Sequence, residues 1–452
     1  RIATTLSNGT QTTYSYDPAS QVTNILHQLT ATSAQINKAD YLYNGVGNRT
    51  SLTDRRGSQT FGYDNLDRLT SASHPLLGTP QNFAYDPVGN RTTGGTVVNA
   101  GNQLTADTNH TYQYDDNGNL TRKTLLATGN YTQYTYDVEN RLTQVQEFAA
   151  GNPTAVTTST YRYDGLGRRI EKVANGQTKR YVYDGEDILL EYDGANTLQA
   201  KYTHGPGIDA PIAVTKGADT FFYHQDGLGS VTDLSDAAGA TAKSYSYDSY
   251  GNILESPGTL EQPYTFTGRE FDAESGLSYY RARYYDPASG RFLQQDPGSA
   301  GINSARLPRH PLDLVSQYAY AADNPIQLID SFGNEPQEPG GVGVEACKYY
   351  DDVARVNRCK YHPYAREYCE NPKQNPCIRS LASAGTISVI RQELIIEDQK
   401  ARIDRSTEAC DRPGCATAEA VTAYHKKVFA AHGIPEWCFP SWWLSARGTG
   451  DR

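Results

Sequence analysis

Methionine does not occur among the 452 residues. The sequence opens on Arg1, so we read its N-terminus as a cut inside a longer protein. No apolar stretch follows a basic head near Arg1, as a secretory leader would require; with the natural start missing, this says nothing about compartment. No run is long and apolar enough to be read as a membrane-spanning helix. Cysteine and tryptophan are absent from the whole first part: all 7 Cys lie between Cys347 and Cys438, and all 3 Trp between Trp437 and Trp443. No two cysteines form a C-x-x-C pair, which argues against a zinc ribbon or finger, and no motif asks for a cofactor or a metal.

Charge divides at the same place. The net charge is -10, yet residues 335–452 hold 16 basic and 16 acidic side chains. The first 334 residues therefore carry the entire excess. An acidic surface repels phosphate backbones, so nucleic acid is excluded as a partner of that part. A chain this long needs either several cores or a repeat array.

A unit does recur. It reads aromatic, any residue, Tyr, Asp or Asn, a short polar turn, then Arg or Gln before a Leu-Thr-like pair. It appears as Tyr14-Ser15-Tyr16-Asp17, as Tyr41-Leu42-Tyr43-Asn44 and as Phe61-Gly62-Tyr63-Asp64. Later copies start at Phe83, Tyr112, Tyr134, Tyr161, Tyr181 and Tyr245. Residues two apart on a strand share a face, so each aromatic pair lies on one side of a sheet. Asp or Asn with Gly marks the turn, and the Leu-Thr piece restarts a strand. Each unit is thus a hairpin unable to bury its own aromatic face. Stacking buries it, and one continuous antiparallel sheet is expected over residues 1–262. A generic aromatic-rich β-solenoid would satisfy the same physics.

The repeated Y-x-Y-D-x-x-G-N/R pattern resembles the YD repeats of the RHS and teneurin-like family. The resemblance implies a hollow β-shell enclosing a cargo polypeptide, of which this chain holds part. A second stretch is similar to that family's repeat-associated core. It runs from Tyr223-His224-Gln225-Asp226 through Phe266-Thr267-Gly268-Arg269 and Tyr279-Tyr280-Arg281-Ala282-Arg283-Tyr284-Tyr285-Asp286-Pro287. It continues as Gly290-Arg291-Phe292, Asp296-Pro297 and Asn324-Pro325 to Asp330-Ser331-Phe332-Gly333. The boundaries expected are 1–217 for the repeats, 218–334 for the core, 335–343 for a Pro/Gly linker and 344–452 for a variable tail.

The resemblance implies that the core cuts the chain just behind itself by aspartic-protease chemistry. Asp296 and Asp330 match the catalytic aspartates by motif, and Arg283 the supporting arginine. The cut is expected beside Gly333 and Asn334. Two carboxylates sharing one proton can act as base on water and as acid on the amide. By residue type alone, an Asp before Pro or Ser is a turn former. His224 reads as a packing or hydrogen-bonding residue; Tyr279, Tyr280, Tyr284 and Tyr285 read as core aromatics. The sequence departs from the family pattern in having Ser331 in place of a proline, and in a long stretch at 297–317 containing Arg306, Pro308, Arg309, His310 and Pro311.

In the tail, apolar spacing predicts helices over 381–403 and 418–431, hence a small helical domain. Its seven cysteines suit disulfides outside the cytoplasm, with an odd one left over. His362, His425 and His432, with Glu419 or Glu436, could serve a nuclease or hydrolase or lie on the surface. Trp437, Phe439, Trp442 and Trp443 form a small core or a membrane-interface patch. Two functions fit. In the first, a polymorphic toxin encloses its own C-terminal effector as cargo, with an immunity protein, a secretion-system delivery component and a target-cell surface as partners. In the second, a cell-surface or wall-associated adhesion protein carries a C-terminal binding module. Both place the protein outside the cell or on its surface.

Overall fold

The structure is a computed structural model that describes residues 2–297 and 316–334. All of them fall within the first of the two units into which the chain divides, Arg1–Gly343. The expected tail helices, all seven cysteines, the tail histidines and tryptophans, and Arg306 to Pro311 lie outside the described residues.

The repeats are antiparallel strands laid down in chain order. Strands β1 (Ala3–Thr5) to β8 (Gln81–Asn82) form an eight-stranded sheet, and β9 (Val97–Val98) to β23 (Thr241–Ser244) a fifteen-stranded one. A short pair, β24 (Ser246–Tyr247) and β25 (Ile253–Glu255), follows. The core contributes a four-stranded sheet: β26 (Glu270–Asp272), β27 (Leu277–Tyr280), β28 (Arg283–Asp286) and β29 (Arg291–Phe292). The helical elements among the described residues are short 3-10 turns such as Phe266–Gly268 and Ala321–Asp323. No helix among them is long and apolar enough to cross a membrane.

One expectation is corrected: the sheet is not continuous. Between β8 and β9 the chain makes only the isolated bridge Tyr85↔Arg91. There Arg91 stacks 3.6 Å from the Tyr250 ring and donates to the Ser289 carbonyl at 3.1 Å.

The period-2 logic is visible in each hairpin. In the copy at Tyr161 the first aromatic is buried, Arg162 is exposed, and Tyr163 is half-buried. Asp164 Oδ1 accepts the N–H groups of Leu166 and Arg168 at 2.9 and 3.0 Å. Gly167, at φ 83°, closes the turn where a side chain would be strained. The second tyrosine then joins neighbouring units. Its hydroxyl donates to the carbonyl at the start of the preceding unit's outgoing strand: Tyr43 to Val22, Tyr63 to Arg49, Tyr136 to Leu120, Tyr163 to Leu142, Tyr183 to Arg169. In one unit His204 Nε2 takes this place, 2.9 Å from the Ile188 carbonyl.

The core sheet packs on the aromatic faces so produced. Leu277, Tyr279, Tyr284 and Leu293 join Tyr112, Tyr134, Leu142 and Tyr161. Tyr280, Tyr285, Phe292 and Tyr320 cluster with Phe266 and Leu228. Ion pairs fix the docking. Arg169 is buried and bonds both Asp272 and, at 2.7 Å, Glu270, while Lys172 reaches Asp272 at 2.8 Å. A buried charge is tolerated only when paired in this way. The two repeat sheets also meet directly. Asn8 Nδ2 donates to Ser235 Oγ and the Asp236 carbonyl, Asn37 Nδ2 to Asp233 Oδ2 at 2.7 Å, and the Gly227 N–H to the Tyr41 hydroxyl at 2.8 Å.

Candidate active site

The tight hairpin between β27 and β28 pairs Tyr280 with Arg283 and leaves Arg281 and Ala282 at its tip. Arg281 sits in the left-handed region, at φ 57°. This aims the side chains of Arg281 and Arg283 at one neighbouring segment, residues 330–334.

Arg283 is 2% exposed and collects the sequence-predicted residues around itself. Its Nη2 lies 3.2 Å from Asp296 Oδ2 and 3.2 Å from Asp330 Oδ2. Its Nε donates to the Gly333 carbonyl and its Nη1 to the Gln317 carbonyl at 2.9 Å. The guanidinium carbon stands 3.7 Å from the centre of the Phe292 ring, which supports it from below. Burial pushes its pKa down and the two carboxylates oppose this; starting so far above neutrality, the group stays cationic.

Asp330 Oδ1 accepts the Asn334 N–H at 3.0 Å. The same i to i+4 contact is made by Asp164 in an ordinary repeat turn, so by itself it marks a turn former. Asp330 differs in being buried against a guanidinium that also holds a second aspartate. The two carboxylates are in unequal surroundings: the Asp296 side chain is 21% exposed and that of Asp330 only 2%. Gly333 has φ 72°, and a Cβ there would stand 2.3 Å from the Tyr280 carbonyl oxygen and 3.2 Å from Arg283 N. The segment can approach the hairpin this closely only with glycine at that position.

Arg283, Asp296, Asp330, Gly333 and Asn334 are therefore brought together at one point. The Gly333–Asn334 peptide has its carbonyl on Arg283 and its N–H on Asp330. His224 lies instead where the two repeat sheets meet, with Nε2 2.8 Å from Ser235 Oγ and its ring edge-on to His27. Tyr279, Tyr280, Tyr284 and Tyr285 are buried in the core. Sequence reasoning assigned no role to Arg281, whose Nη1 donates to the Ser331 carbonyl, nor to the main-chain oxygen of Gln317. The R-x-R spacing of Arg281 and Arg283 was the available signal; no side-chain identity could have indicated a backbone acceptor.

A family model described as Teneurin YD-shell matches residues 77–326, and one described as RHS Repeat matches residues 43–79. The tRNA3(Ser)-specific nuclease WapA of Bacillus spizizenii is 36% identical over 292 residues, which are 60% of this chain and 12% of that protein. The double-stranded DNA deaminase toxin A of Burkholderia cenocepacia is 31% identical over 337 residues, 65% of this chain and 22% of that protein. The chain thus spans less than a quarter of either relative. Among solved structures, the Photorhabdus luminescens Tc holotoxin pore shares the fold with TM-score 0.51 and 21% identity, over 74% of this chain and 18% of that one.

Proposed function

Because the chain belongs to the Teneurin YD-shell family, we propose that it is part of a toxin shell that cuts itself between Gly333 and Asn334, releasing the segment beyond as its effector. The observation that carries this reading is the Arg283 guanidinium, joined at once to Asp296, to Asp330 and to the Gly333 carbonyl.

Peptide hydrolysis needs a base for water, a donor for the nascent oxyanion and an acid for the departing amine. Asp296, the more exposed carboxylate, takes a proton from water as the water oxygen adds to the Gly333 carbonyl carbon. Negative charge gathers on the carbonyl oxygen, and Arg283 Nε stabilises it there. The pair holds one proton at the outset. Asp330, beside the nitrogen, gives that proton to the leaving group as the C–N bond breaks. The products are a carboxylic acid on Gly333, which passes its proton to the new amine on Asn334, and the aspartate pair again holds one proton. No cofactor takes part.

In this reading the repeats and core (1–217 and 218–334) form shell wall and protease, residues 335–343 are linker, and 344–452 are the cargo. Protection of the producer by an immunity protein, a secretion-system delivery component and action at a target-cell surface complete it; the protein is then secreted or held on the cell surface. The toxin names of the relatives favour this over an adhesion role. Mass spectrometry of the purified full chain tests it. The wild type should yield a C-terminal piece starting at Asn334, and Asp296→Asn or Asp330→Asn should each stay intact, with Arg283→Ala slowed. An uncut wild type, or unchanged cutting in either aspartate variant, would refute it.

A further inference from the structure

Three consecutive carbonyls lead up to the Gly333–Asn334 bond, and three consecutive residues hold them. Arg281 Nη1 takes the Ser331 oxygen, the Ala282 N–H takes the Phe332 oxygen at 3.2 Å, and Arg283 Nε takes the Gly333 oxygen. The segment is thus gripped in a fixed register. Because the first hold is on a main-chain oxygen, serine at 331 offers it as well as proline would.

Arg281 is itself held from the repeats. Asp209 lies in the loop between β19 (Leu198–His204) and β20 (Pro211–Lys216), buried and at φ 57°. Its Oδ1 accepts from Arg281 Nη2 at 2.8 Å, and its Oδ2 from Arg281 Nη1 at 3.2 Å. The same carboxylate bonds Arg269 Nη1, and Arg269 in turn donates to the Tyr279 carbonyl at 2.7 and 3.2 Å. One carboxylate therefore braces both the tip and the incoming strand of the hairpin that carries Arg283. The approach is too close for a side chain on the facing loop: a Cβ on Gly268 would stand 2.6 Å from the Asp209 main-chain oxygen. Burial disfavours charge on Asp209, but Arg269 and Arg281 outweigh it and hold the carboxyl below its ordinary value.

We propose that Asp209 is a positioning residue for the self-cleavage, acting through Arg281, so that cutting is coupled to the docking of the core on the repeats. The inference rests on the cleavage reading above. Without the Asp209 carboxylate, the acids left near Arg281 are Glu186 at 3.6 Å and Asp187 at 3.8 Å, both more open to solvent. Arg281 then turns toward them and releases Ser331, and the register of the scissile bond is lost.

The test is a cleavage time course on the full chain. D209N should cut on the order of 100-fold more slowly, the scale of a small misplacement at a reacting centre; because it leaves the buried Arg269 without its carboxylate, its thermal midpoint should fall, so the rates are compared at a temperature where circular dichroism shows both proteins folded. D209E should recover most of the rate. D209N/R281Q should be no slower than R281Q alone, since residues acting through one another are not additive; a merely structural role would give additive losses. Wild-type rate in D209N, or additivity with R281Q, would overturn the coupling. If D209N fails to fold, R281K decides: it keeps the charge but cannot span Asp209 and Ser331 together, and wild-type rate in that folded variant overturns the idea. A wild type that never cuts defeats both readings. Cutting that D296N abolishes and D209N leaves untouched defeats only this one.

Discussion

The Tyr163 hydroxyl donates to the Leu142 carbonyl at 2.6 Å, across 21 positions of sequence. This bond sets one hairpin against the one before it, beyond what the strand ladder between β14 (Leu142–Phe148) and β15 (Ala155–Tyr163) provides.

Tyr163→Phe keeps the ring and removes only the donor. The Leu142 oxygen then loses its partner in a half-buried place, at a cost of about 1 to 2 kcal/mol. The urea midpoint should fall accordingly, and amide exchange should quicken locally around Leu142. Unchanged exchange there would show that the aromatic stack alone registers the units.

Gly333→Ala should block cutting without unfolding the shell. The added methyl meets the Tyr280 carbonyl oxygen at 2.3 Å, and neither that backbone nor the left-handed φ of Gly333 suits alanine. The segment must back away from Arg283. A fall in cleavage rate on the order of 100-fold is expected, read on a denaturing gel, with the thermal midpoint little changed. A rate within a few-fold of wild type would mean that the close approach is unnecessary.

The histidine pair between the two repeat sheets makes stability depend on pH. Burial lowers His27 to about 4 and His224, with His27 adding to the effect, to about 3, from an ordinary 6.5. Between pH 6.5 and 4 the unfolded chain binds protons that the folded chain refuses. Stability from these groups is therefore complete above pH 6.5 and drains away as pH falls toward their folded values, by on the order of 3 kcal/mol for His27. Asp323 acts in the opposite sense. Burial raises it to about 7, so its contribution is present at low pH and is lost as pH rises toward 7. Comparing wild type with His27→Gln isolates the histidine part: the variant's urea midpoint should vary less between pH 6.5 and 4. Parallel profiles for the two would contradict the assignment.

The sheets were legible in the sequence because the signal is local. Aromatic spacing of two and an Asp-x-x-Gly turn fix a hairpin within a dozen or so residues, and copying reinforces the reading. The break after β8 was not legible, because Phe83-Ala84-Tyr85-Asp86 and Gly89-Asn90-Arg91 read like any other copy of the repeat. The candidate site was legible through its motifs, which supplied Arg283, Asp296 and Asp330, and the fold brings these three together. Its register was not: Arg281 and Arg283 act on main-chain oxygens, and Asp209 reaches Arg281 from 72 positions away.

The sheet-to-sheet contact at Asn8 also has a consequence in time. Each hairpin joins residues a few positions apart, so its closure entropy is small and it can form quickly. The bond from Asn8 to Asp236 spans 228 positions, and such closures are the slow ones. Arg283, Asp296 and Asp330 all lie beyond Asp236. A chain emerging from the ribosome completes the hairpins between Asn8 and Asp236 first, brings Asp236 back to Asn8 much later, and only then has the residues in hand to bring Gly333 and Asn334 against Arg283. On the cleavage reading proposed above, order of synthesis holds back the cut until the two repeat sheets have met.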